Sequence, residues 1–247
     1  MNPTTEYVTL SVSDGTSMRA YVARPQGSPR AGMLVFQEAF GVNPHIRNLT
    51  ERFAREGYLA IAPELFHRSG AGFEGDYCAF EAVMPHMKAL TDAGMAADSE
   101  AAFNWLKKAS GNLPVGAIGY CMGGRVAFLA DATLPLNCAV SYYGGGIAPN
   151  PFFPGGLLNR VNDLKAPIMF FWAGQDQHIT PDQAQAVTDA MRAAKKSYVN
   201  VEFSEADHGF FCDARASYNA AAAAQAWPLT LAFLNTHLAS AARKADA

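Results

Sequence analysis

The stretch Val115-Gly116-Ala117-Ile118-Gly119-Tyr120-Cys121-Met122-Gly123-Gly124-Arg125-Val126 decides how this chain is read. A short apolar run, Val115 to Ile118, leads into it, and an apolar helix-like stretch, Val126 to Ala130, leads out. That context is strand, sharp turn, helix. It has the layout of a nucleophile elbow, G-x-S-x-G, with cysteine in the serine position. Glycines stand on either side because a side chain there would crowd so tight a turn. The turn is expected to hold the Cys121 sulfur at the C-terminal edge of a sheet. It also places the Met122 amide at a helix N-terminus, where unpaired N–H groups favour developing negative charge.

An aspartate and a histidine follow in suitable settings. Asp176 comes after the apolar run Ile168 to Trp172, in Gly174-Gln175-Asp176-Gln177, and so lies on a loop just past a strand. His208 comes after the strand-like run Tyr198 to Phe203, in Asp207-His208-Gly209-Phe210. Each is placed at a strand's C-terminal end, where open α/β sheets carry their sites. The chain order nucleophile, acid, base is that of the α/β-hydrolases and differs from the chymotrypsin and subtilisin orders.

At these residues the chain resembles the dienelactone hydrolase family, from about Tyr7 to about Leu238. Gly119 to Gly124 resembles the family's cysteine elbow. Gln37-Glu38-Ala39-Phe40-Gly41 resembles its motif after the third strand, and Asp207-His208-Gly209-Phe210 with Arg215 and Tyr218 resembles its histidine region. The resemblance implies an α/β-hydrolase fold, a mainly parallel sheet flanked by helices on both faces. It implies Cys121 as nucleophile, His208 as base, Asp176 as its orienter and Glu38 as partner of the resting thiol. The Ala39 and Met122 amides would form an oxyanion hole. The substrate it implies is a small ester or lactone. In the family pattern an arginine four residues after the histidine helps clamp a substrate carboxylate; here that position is Cys212, with Arg215 three residues on. Arg68 lies in the region expected to supply a second arginine, and Tyr142 and Tyr143, after a strand end, are candidate pocket residues.

The chemistry requires such a set. A cysteine attacks as thiolate, and an unperturbed thiol with a pKa of about 8.5 is mostly protonated at neutral pH. A histidine can take the sulfur's proton, and an aspartate can fix the imidazole tautomer and stabilise the imidazolium. Glu38 is less expected, because a carboxylate beside a thiol disfavours the thiolate. The reading adopted is that Glu38 accepts the S–H proton in a hydrogen bond until an anionic substrate displaces it. Cys78, Cys138 and Cys212 read as small buried hydrophobes, with Cys212 also a possible redox partner of Cys121. A non-catalytic binder of small acids, or a thiol redox protein, are the alternative functions on the same fold.

The rest of the chain fits one α/β domain over residues 1–247. Half of the residues are apolar, and the net charge is −3 with no basic run, which gives no support for nucleic-acid binding. No stretch approaches the ~20 apolar residues of a membrane span, and Met1 to Tyr7 lacks a signal-peptide core. A cytoplasmic monomer is expected. Ser13-Asp14-Gly15-Thr16 between two strand-like runs reads as a hairpin. Glu64 to Asp76 reads as a loop. Helices are expected over Ala97 to Lys108, Pro181 to Lys195 and Tyr218 to Leu238. His45, His67, His86, His178 and His237 show no metal-ligand spacing, so neither metal nor cofactor is expected.

Overall fold

In the computed structural model the backbone is described for residues 2–245 and the side chains for residues 2–239. Eight strands form one sheet in the order β1-β2-β4-β3-β5-β6-β7-β8. β1 (Thr4–Ser11) and β2 (Ser17–Arg24) are the expected hairpin, with Ser11 opposite Ser17. Gly15, at φ 85°, supplies the left-handed corner of its turn. β2 joins β4 (Tyr58–Pro63) antiparallel, and every pairing beyond β4 is parallel: β3 (Ala31–Phe36), β5 (Val115–Tyr120), β6 (Cys138–Tyr142), β7 (Ile168–Ala173) and β8 (Tyr198–Phe203).

The five strands β3 to β7 are buried along their whole length, which is why they read as continuous apolar runs and not as alternations. The edge strand β8 has only exposed and half-buried residues. Helices cover both faces. On one side α1 (Pro44–Arg55) meets the last helix, α7 (Ala220–Ala245): the Phe53 and Trp227 rings are 5.0 Å apart, and Arg52 lies 3.7 Å over the Trp227 ring. On the other side α4 (Asp92–Ser110) and α5 (Met122–Thr133) pack together against the sheet. α6 (Pro181–Ala193) starts at a capping box in which Thr180 and Gln183 satisfy each other's amides. No helix among the described residues is long and apolar enough to cross a membrane.

Several expectations change. The fourth helix begins five residues earlier than expected, at Asp92, because the Thr91 hydroxyl caps it by accepting the Gly94 amide at 3.0 Å. The stretch read as loop carries a single turn, α2 (His67–Gly70), and a further helix follows it, α3 (Phe80–Ala89), that the sequence reading did not anticipate. α7 starts at Ala220, two residues after the expected Tyr218, and runs on to Ala245 through Pro228. Cys78 is exposed, contrary to the buried reading, whereas Cys138 and Cys212 are buried; all four thiols are free.

One buried acid on α5 makes stability depend on pH. Asp131 is fully buried; its Oδ1 accepts the Ala166 amide at 3.0 Å, while its Oδ2 has no partner among the described residues. Burial disfavours the carboxylate and pushes its pKa from 3.8 up to about 7. The folded chain therefore keeps a proton that the unfolded chain releases above about pH 4. Stability falls as pH rises from there and levels off above about pH 7. Asp131→Asn keeps the acceptor for Ala166 and removes the ionisation. Its thermal midpoint relative to wild type is expected to rise at pH 8 and not at pH 4; equal shifts at both pH values would contradict this account.

Candidate active site

The turn after β5 brings three backbone segments into contact. Cys121 itself sits at φ 56°, ψ −121°, a conformation that a residue with a side chain rarely adopts. A Cβ on Gly119 would run into the Gly123 carbonyl, and one on Gly123 would run into the carbonyls of Phe36 and Gln37. A Cβ on Gly124 would lie 2.7 Å from the Gly144 Cα. The glycines are thus required by packing between segments as well as by the turn. The Cys121 amide is tied to the Tyr142 carbonyl at 3.0 Å, which joins the turn to β6. Arg125, buried on the next turn of α5, bonds the Gly146 carbonyl at 3.0 Å and pairs with Asp92 at 2.7 Å. It ties the loop after β6 to the elbow helix. An arginine immediately after the elbow glycines was its only sequence signal.

The Cys121 sulfur is half-buried and lies 3.1 Å from His208 Nε2. His208 Nδ1 lies 2.8 Å from Asp176 Oδ2, and both residues are buried. Asp176 Oδ1 accepts the amides of His178 and Ile179 at 2.7 and 2.9 Å, so one oxygen anchors the loop and the other faces the imidazole. Burial opposes charge on His208, but the Cys121 sulfur and the Asp176 carboxylate outweigh it and lift the imidazole to about 10. Burial likewise opposes the Asp176 carboxylate, yet His208 and the two amides hold it below the usual range. The Tyr143 ring, whose residue has φ 37°, packs 5.2 Å from the His208 ring.

Glu38 follows β3 and is fully buried. Its Oε1 pairs with Arg215 at 3.2 Å, and its Oε2 has no partner among the described residues. Burial opposes the charge of Arg215, and the charges of Glu38 and Cys121 more than offset this. Arg215 is therefore at the site, as the sequence suggested. The expected Glu38–thiol hydrogen bond is replaced: the sulfur faces His208, and Glu38 faces the guanidinium. Ala39 follows Glu38 directly, and the contact of Gly123 with Phe36 and Gln37 brings this segment against the start of α5, where Met122 lies. The Gln37 side chain fixes the segment further by accepting the Leu65 amide at 3.0 Å.

Two expected pocket residues point elsewhere. Arg68 is held by Asp98 at 2.8 and 2.9 Å and by Asp14 at 2.7 Å, so its guanidinium is committed to an ion-pair cluster beside α4. Tyr142 is wholly buried, and its hydroxyl pairs with Thr230 of α7 at 2.6 Å, which makes it a core residue. Cys212, considered as a redox partner for Cys121, directs its thiol to the Tyr77 hydroxyl at 3.2 Å. Tyr77 in turn accepts from Asn43 at 2.9 Å and packs on Phe40 at 4.6 Å between ring centres. One grouping went unnoticed in the sequence: Glu38 and His45, seven residues apart, and the distant Cys212 place one potential metal-ligand atom each within 4.8 Å of one another.

An eight-stranded, mostly parallel sheet with a cysteine elbow at its C-terminal edge is an α/β-hydrolase fold. The family model described as "Dienelactone hydrolase family" matches residues 18–238, and the chain belongs to that family. It is an enzyme of the ester and lactone hydrolase class. It is 31% identical to the Pseudomonas putida "Carboxymethylenebutenolidase" over 234 residues, 93% of this chain and 96% of that protein. It is 36% identical to an Escherichia coli K12 protein named "Putative carboxymethylenebutenolidase", over 87% of this chain and 81% of that one. Among solved structures, the Klebsiella pneumoniae protein described as "Putative Dienelactone Hydrolase" superposes with a TM-score of 0.81 at 34% identity, covering 93% of this chain and 98% of its own.

The close approach at Gly123 yields a direct test. Gly123→Ala forces a methyl group against two backbone carbonyls that cannot rotate away. The loss of stability is expected to reach at least the ~1–3 kcal/mol typical of overpacking. Denaturant unfolding measures it; an unchanged midpoint would mean that the β3 end and the elbow helix are not in contact.

Proposed function

We propose that the protein hydrolyses small carboxylic esters or lactones through a thioester formed on Cys121. The observation that carries this is the 3.1 Å approach of the Cys121 sulfur to His208 Nε2, with Asp176 on the opposite ring nitrogen at 2.8 Å. His208 takes the sulfur's proton. The thiolate attacks the carbonyl carbon, and the C=O π pair moves onto oxygen. The amides of Ala39 and Met122 are the assigned donors to that oxyanion; one such donor is worth ~3 kcal/mol. The intermediate collapses, the C–O bond to the leaving group breaks, and that oxygen takes the proton from Nε2. A water then gives its proton to Nε2 and attacks the thioester. The C–S bond breaks, the departing sulfur takes the proton back from Nε2, and the acid leaves. For a lactone the leaving oxygen stays on the product as a hydroxyl.

Asp176 holds the imidazole so that Nε2 faces sulfur. Its two backbone donors keep it ionised, which stabilises the imidazolium in both half-reactions. The Glu38–Arg215 pair gives the site its response to substrate charge. A substrate carboxylate has to share or take Arg215 from Glu38, whereas a neutral ester makes no such demand.

Two measurements test this reading. With a short-chain aryl ester and a panel of lactones, Cys121→Ala and His208→Ala are each expected to lower kcat by on the order of 10³-fold or more. Turnover retained in Cys121→Ala would sink the mechanism. Glu38→Gln removes the negative competitor for Arg215. It is expected to lower KM for a carboxylate-bearing ester by roughly tenfold, about 1.4 kcal/mol, while leaving KM for its neutral counterpart in place. Equal changes for the two esters would remove Arg215 from substrate recognition.

A further inference from the structure

The geometry points to a binding site for one thiophilic divalent ion, of the zinc class, formed by Glu38, His45 and Cys212. The three side chains come from the segment after β3, the first turn of α1 and the loop after β8, and all three are buried. Their ligand atoms lie within 4.8 Å of one another. A tetrahedral zinc with bonds of ~2.0–2.3 Å holds its ligand atoms ~3.3–3.8 Å apart, so the pairs need to close by no more than ~1.5 Å. Two polar atoms of this cluster lack any hydrogen-bond partner among the described residues, Glu38 Oε2 and His45 Nε2. A buried polar atom left so carries a penalty of about 1–3 kcal/mol. A single ion between them relieves both.

The surroundings orient the ligands as a metal site requires. Asp213 Oδ1 stands 3.8 Å from His45 Nδ1, beyond hydrogen-bond distance, on the far side of the ring from the unpartnered Nε2. Tyr77 stands 3.2 Å from the Cys212 sulfur and is itself fixed by Asn43. Its hydroxyl accepts from the thiol and can donate to the thiolate. An outer partner of this kind fixes the rotamer of a ligand, here Cys212. Glu38 divides its oxygens, Oε1 to Arg215 and Oε2 to the ion. One carboxylate, one imidazole and one thiolate form a zinc-type donor set; magnesium and calcium take oxygen ligands instead.

Binding requires the thiolate, so Cys212 gives up its proton to solvent as the S–metal bond forms. The groups facing that sulfur are Glu38, His45, Tyr77, Tyr143 and Arg215.

The test titrates the full-length, chelator-treated protein with Zn²⁺ against a chromophoric chelator, and with Co²⁺ by absorption. Wild type is expected to bind one ion per chain and to show a thiolate-to-cobalt charge-transfer band. Cys212→Ser and His45→Gln are each expected to lower affinity by on the order of 100-fold, and Cys212→Ser to abolish the band. Cys121→Ser is expected to keep both. Loss of the band in Cys121→Ser with retention in Cys212→Ser would put the ion on the catalytic pair and overturn the assignment. Binding by wild type no tighter than by Cys212→Ser would overturn it as well. If His45→Gln fails to fold, the comparison of the two cysteine variants decides. The readout is binding, so it stands or falls separately from the hydrolytic mechanism.

Discussion

The strained backbone of Cys121 is the constraint on which the rest of the site depends. A residue with a side chain at φ 56° is destabilised by about 1–3 kcal/mol and persists only where its neighbours leave no alternative. Here three neighbours do so. The Gly119–Gly123 approach closes the turn on itself. The Gly123 contact with Phe36 and Gln37 locks it to β3, and the Gly124 contact with Gly144 locks it to the loop after β6. Because β3, β5 and β6 are adjacent and parallel, their ends meet at one sheet edge, and one turn is clamped between two others. The same clamp fixes the sulfur and aligns the segment bearing Glu38 and Ala39 with the N-terminus of α5.

Electrostatics then works on a fixed frame. His208 is buried, which by itself would hold the imidazole neutral. The sulfur on one nitrogen and the carboxylate on the other reverse that preference. Asp176 is also buried, yet two backbone amides meet one oxygen and the imidazole meets the other. The sulfur is held by the strained backbone of the elbow, and Asp176 by two backbone amides, so both partners of His208 are fixed in place. That is the form of preorganisation that needs little rearrangement when charge moves during reaction.

The features legible in the sequence were those where one residue's chemistry coincides with a local pattern. Glycines framing a cysteine after an apolar run fixed the elbow, and Asp176 and His208 each stood just beyond a run long enough to be a buried strand. What the sequence could not give was direction and distance. Adjacent residues of a strand face opposite sides of a sheet. Tyr142 and Tyr143 were thus equivalent on paper, yet Tyr142 reaches Thr230 in the core and Tyr143 lies against His208. Arg68 was placed by region alone, and nothing in its neighbourhood of sequence announced Asp98, thirty residues on. α3 was missed because Pro85 lies inside it and a glycine-rich stretch precedes it. The meeting of Glu38, His45 and Cys212 was invisible because Cys212 reaches the β3–α1 junction only through the tertiary fold.

Cys212 changes the charge balance of this edge. Where the family pattern carries a cation four residues past the histidine, this chain carries a thiol that directs its hydrogen to Tyr77. Glu38 is consequently left with Arg215 as its one cationic partner among the described residues, bonded through Oε1, while Oε2 stands bare in a buried pocket. A carboxylate arranged so is undercompensated, and the local field favours the approach of positive charge. Arg215 meets part of that demand from one side. From the other, His45 presents a nitrogen and Cys212 a sulfur within 4.8 Å, and neither bonds Oε2 in this structure. The thiol at this position is one of the three donor atoms that meet at this corner, together with those of Glu38 and His45.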